Sequence, residues 1–114
     1  MAQLISRLTA TIALGASLSD ALNISSGSVS YIELPATWTT AVLTFQGSLD
    51  GTNYFNIFDD EGYEVIVFVE AGRRVHVQQH NINQNKYIKL RSGTSFNAVN
   101  QAAARTIYVE VWNE

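Results

Sequence analysis

The chain of 114 residues has no cysteine, one proline, one methionine and only seven lysines and arginines against ten acids. Each shortage excludes something. Without cysteine, neither disulfides nor thiolate metal sites can hold the fold, so stability must come from a packed core or from neighbouring subunits. A formal net charge of -3 with scattered basic residues argues against a nucleic-acid face, which needs clustered Lys and Arg. No run is long and apolar enough to cross a membrane. The expected partners therefore include no nucleic acid and no membrane. A chain of this length holds one domain around one core.

The N-terminal stretch "MAQLISRLTATIALGASLSDA" ends its apolar part in small residues, as a signal peptide does. Thr9 and Thr11 interrupt that part, however, and Arg7 is its only basic residue. Leu8, Ala10, Ile12 and Leu14 alternate with smaller or polar neighbours as a strand does. Residues 1–14 are read as an N-terminal arm or a first strand, and residues 15–114 as a single β-sandwich domain. The default compartment is the cytosol or the inside of an assembly.

What is present almost end to end is period-two alternation, the mark of strands with one face on a core. In "RTIYVEVW" Arg105, Ile107, Val109 and Val111 share the expected core side, and Thr106, Tyr108, Glu110 and Trp112 the other. "KYIKLR" turns Ile88 and Leu90 inward with Tyr87, Lys89 and Arg91 outward. "AVLTFQG" turns Leu43 and Phe45 inward with Val42, Thr44 and Gln46 outward. "YEVIVFVE" has apolar residues on both faces, Val65, Val67 and Val69 against Ile66 and Phe68. Such a strand is either covered on two sides or meets another subunit. The expected strands are 4–13, 28–34, 41–47, 53–58, 63–70, 73–78, 86–92 and 105–112. Eight short strands at this spacing predict an all-β, antiparallel β-sandwich of jelly-roll type.

Several stretches raise the question of a site. "SLDGTNY" places Asp50-Gly51, and "DDEGY" places Glu61-Gly62, between strand-like runs, where a glycine supplies the positive φ of a tight turn. Ser48 and Asp50 are expected to bond turn amides. The acids Asp59 to Glu61 lack the register of an EF-hand loop, so a solvated loop is expected rather than a calcium site. His76 and His80, four apart on an expected strand, would stand about 13 Å apart, too far to share one metal. Arg73 and Arg74 are expected to pair with Glu64 or Glu70. No nucleophile motif or paired acid and base appears, so neither catalysis nor a cofactor is expected.

Trp38, after Pro35, is read as a partly buried anchor or an exposed binding residue, and Tyr108 with Trp112 as a subunit contact or simple packing. Together with Leu4, Ile5, Leu8 and Ile12 of the first segment and with Ile66 and Phe68, these residues make up the candidate interface. The segment Ser92 to Ala104 is too long for a hairpin turn. It is either a Greek-key crossover or a contact loop carrying Phe96, Asn97, Val99, Asn100 and Gln101, with one helical turn possible in "AVNQAAA".

Two stretches, "LPATWTTAVLTFQGSLDGTNYFNIFDDEGYEV" and "KYIKLRSGTSFNAVNQAAARTIYVEV", resemble small virion-associated proteins of tailed bacteriophages, of the kind encoded beside the head genes. They cover about half the chain, and "SLDGTNY" and "RSGTSFNAVNQAAAR" are their most distinctive pieces. The resemblance implies a head decoration, or cement, protein of the capsid surface, assembled in the host cytoplasm. It would be a β-sandwich, a trimer, seated between subunits of the major capsid protein and holding the shell against packaged DNA. It carries no functional residue across. The alternative is a tail or fibre module binding host-surface glycan through Tyr54, Trp38 or Tyr87.

Overall fold

The alternation in "RTIYVEVW" becomes the middle of a sheet, with Ile107, Val109 and Val111 buried on one side and Thr106 and Tyr108 exposed on the other. The computed structural model describes residues 4–78 and 80–113. Among these, the elements are β1 (Leu4–Ile12), β2 (Leu22–Asn23), β3 (Ser28–Glu33), β4 (Leu43–Ser48), β5 (Phe55–Asn56), β6 (Arg74–His76), α1 (His80–Asn83), β7 (Tyr87–Ser92) and β8 (Arg105–Asn113). The strands form two four-stranded antiparallel sheets, ordered β1-β8-β3-β6 and β2-β7-β4-β5. The pairs β1 with β8, β2 with β7, β3 with β6 and β4 with β5 are nested. The expected all-β sandwich of eight strands is what the chain adopts.

One core lies between the sheets. Ala10, Ile12, Val29, Ile32, Ile107, Val109 and Val111 face it from the first sheet, and Leu22, Leu43, Phe45, Ile88 and Leu90 from the second. Each fully buried aliphatic or aromatic side chain contributes about 1.5–3 kcal/mol relative to exposure, and with no disulfide this burial is what holds the sandwich. In β3 the register against β8 shifts between Val29 and Tyr31. The extra residue lets Val29 and Ile32, three apart, both reach the core while Tyr31 stays on the outer face.

The first segment is a strand from Leu4 to Ile12, and at Ala13 and Leu14 the chain leaves it for a turn. All nine residues of β1 pair with β8, from Leu4 opposite Asn113 to Ile12 opposite Arg105. Residues 1–3 of the arm-or-strand reading lie outside the described residues. The expected strand 63–70 is corrected: among the described residues its ladder contacts are single bridges, Leu43 with Val67 and Phe58 with Glu64. The reason is that β5 already occupies the edge of β4 at Gln46 and Gly47, which leaves only the Leu43 end open to a further segment. No helical turn forms in "AVNQAAA"; the described helix is α1, anchored by the fully buried Ile82. Asn83 ties it to the first sheet by accepting the Val29 amide at 2.8 Å.

Candidate functional site

The chemistry-bearing side chains gather where β4 runs into its turn, and the local sequence explains the geometry. The Ser48 hydroxyl accepts the amides of Gly51 at 2.9 Å and Asp50 at 3.3 Å. The Asp50 carboxylate accepts the amides of Thr52 and Asn53, both at 2.8 Å, and the side-chain amide of Asn53 at 2.8 Å. Gly51 takes a φ of 77°, a region costly for any residue with a Cβ. The Asn53 and then the Thr52 amide, followed by the Asn53 side chain and the Ser48 hydroxyl, hold the Asp50 carboxyl well below the usual carboxylate range. Asp50 and Ser48 thus build the turn, as their spacing predicts.

The second turn follows the same logic. Asp59 accepts the amides of Glu61 and Tyr63, each at 2.9 Å, and Gly62 takes a φ of 88°. Asp59 is therefore oriented by its own loop. Among the described residues no group of three or more His, Asp or Glu comes together in a way that would hold a metal ion.

Sequence reasoning misplaced what lies beneath these turns. Thr44 and Arg91, expected to point outward, are buried. The 58–64 excursion and the 93–97 loop cover this part of the outer face of the second sheet, so a position facing away from the core still escapes water. Arg91 lies 3.3 Å from the Glu64 carboxylate, with both side chains under 10% exposed, and donates to Asn56 Oδ1 at 2.6 Å. Glu64 also accepts the Ser95 amide at 3.0 Å. A single buried ion pair thereby ties β7, β5, the 58–64 excursion and the 93–97 loop together. Above it Phe58 and Phe96 meet edge to face at 6.3 Å between ring centres, with Phe96 85% exposed. Glu64 therefore pairs with Arg91, and Arg73 takes Glu70 at 2.7 Å.

The candidate interface residues do not form one surface. Ile12 and Trp38 are buried in the core, and Leu8 packs against it, because all three lie on the inner side of the sandwich. Trp38 donates its indole N–H to the Ala41 carbonyl at 3.2 Å, which makes it the anchor rather than a binding residue. The Leu4 side chain lies outside the described residues. Ile5, Tyr108 and Trp112 do share the outer face of the first sheet, Ile5 directly opposite Trp112. Phe68, 78% exposed, stands at the opposite edge of that sheet in a shallow hollow with Arg74 and His76, and Ile66 is half-buried.

The candidate contact loop divides likewise. Phe96, Asn97 and Asn100 are exposed and Val99 is half-buried, but Gln101 is buried. Its amide nitrogen donates to the Thr39 carbonyl at 3.1 Å and the Ser92 hydroxyl at 2.7 Å, and its oxygen accepts from the Thr39 amide and from Arg105 Nε. Four bonds, two to half-buried Thr39 and two to buried Ser92 and Arg105, make it a stitch between loops. His76 stacks on Tyr31 at 4.9 Å and His80 opens α1, so the two belong to different elements.

A groove of about 630 Å³ runs beside the Ser48 turn, walled by β5 and the segment through α1. The signal for it lay in "QQHNINQN", six amides among residues 78–85. No described helix is long and apolar enough to cross a membrane. No protein-family model, curated protein or solved structure matches the chain.

Proposed function

We propose that this chain is a structural virion protein, a decoration or cement protein that binds the major capsid shell as a homotrimer and stabilises it. The observation that carries the reading is the Phe58–Phe96 pair. Large exposed aromatics are costly on a lone protein, and here they stand on loops pinned from beneath by the buried Arg91–Glu64 pair. Apolar side chains held rigidly outward suit adhesion, since little ordering entropy remains to be lost on contact. We read the nested strand order as a jelly roll, an architecture used by viral shell proteins, although fold alone assigns no function. Trimerisation would multiply a modest contact at each protomer by effective concentration.

The expected result is a trimer by light scattering that binds mature shells lacking it and ignores unexpanded procapsids. Phe58→Ala combined with Phe96→Ala should weaken shell binding by roughly tenfold or more while leaving the thermal midpoint near that of the unchanged protein. Equal binding to both kinds of shell, or to neither, overturns the reading.

A further inference from the structure

We propose that the groove beside the Ser48 turn binds a neutral oligosaccharide. Its walls carry Asn53, Phe55, Asn56, Asn81, Gln84 and Asn85. Its volume of about 630 Å³ falls in the range of small-molecule sites, roughly 300–1,000 Å³.

Charge decides against ions. Among the described residues no Lys, Arg or His side chain lines the groove, so an anion would find no counter-charge there. The one carboxylate among the described lining residues, Asp50, already accepts from the Ser48 hydroxyl, two backbone amides and the Asn53 side chain, which leaves little for a cation. What remains is amide chemistry. Asn81 and Gln84 make no side-chain hydrogen bond with another described residue. Asn85 uses its nitrogen on the carbonyls of Asn81 and Ile82 at 3.0 and 3.1 Å, which leaves its oxygen. Asn56 uses its oxygen on Arg91 and Gln46, which leaves its nitrogen. A side-chain amide both donates and accepts, as a sugar hydroxyl does.

The apolar partner is also there. Phe55 is 72% exposed and Phe58 40%, and an aromatic face suits the C–H face of a pyranose ring. An extended peptide is a poorer fit: strand addition needs a ladder of backbone groups, and β5 offers two residues. Two of the amides are held in place before any ligand arrives. Asn56 is fixed by Arg91, and Asn85 lies so close over Gly47 that a Cβ there would come within 2.3 Å of its oxygen. Such preorganisation lowers the ordering cost of binding.

The test is a titration of the ¹⁵N-labelled full chain with cellohexaose, maltohexaose, mannohexaose and chitohexaose in N-acetylated form, with inorganic phosphate and a heparin hexasaccharide alongside. At least one neutral sugar should give saturable shifts centred on the side-chain amides of Asn56, Asn81, Gln84 and Asn85. Phe55→Ala and Gln84→Ala should each weaken that binding by about tenfold without moving the thermal midpoint. Absence of binding by all four neutral sugars, saturation only by the charged probes, shifts centred elsewhere, or unchanged affinity in Phe55→Ala would each overturn the proposal. None of these readouts depends on the capsid reading.

Discussion

The outer faces of the two sheets each hold an arginine among acidic and amide partners, and they treat it in opposite ways. On the first sheet Arg74 reaches Glu33 at 2.6 Å and Glu110 at 2.8 Å and lies 4.1 Å over the Tyr31 ring, in the open. Arg7 extends the same lattice to Glu33 at 2.7 Å and covers Tyr108 at 4.0 Å. On the second sheet Arg91 and Glu64 are roofed by loops that end in exposed phenylalanines. Water screens the first network, so its geometry contributes little to stability. It is largely excluded from the second, where both side chains are under 10% exposed and either charge left alone would be strongly unfavourable. A pattern of alternating residues is the same in both cases; the covering loops make the difference.

Three substitutions break or sharpen this contrast. The largest effect is expected from Glu64→Ala, which strands the Arg91 charge and releases the Ser95 amide. It should lower stability by about 3–5 kcal/mol in urea denaturation, whereas the double change of Glu64 and Arg91 to Leu should recover most of that loss. A single-variant cost near zero would place the pair in water and erase the contrast.

Arg74→Ala should have a smaller effect, and one that depends on pH. Hydrogen bonding from Arg74 holds the Glu110 carboxyl below its usual range. A group whose folded pKa is depressed contributes stability above its unfolded pKa and loses it as pH falls through the folded value. The gap in denaturation midpoint between the unchanged protein and Arg74→Ala should therefore be widest near neutrality and close on acidification below the ordinary glutamate range. Added salt should narrow it too. A gap that widens in acid would contradict the assigned pairing.

The smallest effect is expected for Asp50→Asn, since an amide oxygen can still accept the Thr52 and Asn53 amides. The variant should fold normally and lose part of the acid sensitivity that the depressed Asp50 carboxyl confers, visible as a flatter stability profile below the usual aspartate range. An unchanged profile would mean that the turn amides do not favour the ionised form.

Particular residues show how far reading the chain reaches. Ile88, Leu90, Ile107, Val109 and Val111 were assignable to the core because a strand's side chains must alternate. Ser48, Asp50 and the two turn glycines were legible because their contacts are local. Arg105 was placed on the inner side of β8, and it is buried there, donating to Gln101, Thr37 and Thr39. The burial of Thr44, Arg91 and Gln101 is not legible in the sequence because it comes from segments at least nine residues away in the chain, which no local pattern encodes. The two-residue β2 is too short to show a period at all. The groove is not legible in the sequence because Asn53 and Asn56 lie about thirty residues from Asn81, Gln84 and Asn85, and amide-rich stretches alone read as polar loop.

Spacing by itself determined that this chain is a sandwich of short antiparallel strands with tight turns at Gly51 and Gly62, since period and φ preference act within a few residues. Tertiary structure alone decided which outer face stays wet, that the outward-facing Arg91 is buried, and that phenylalanines, amides and a turn meet along one edge. Those outcomes depend on where distant loops come to rest, and that is set by the closure of the whole core rather than by any neighbour in sequence.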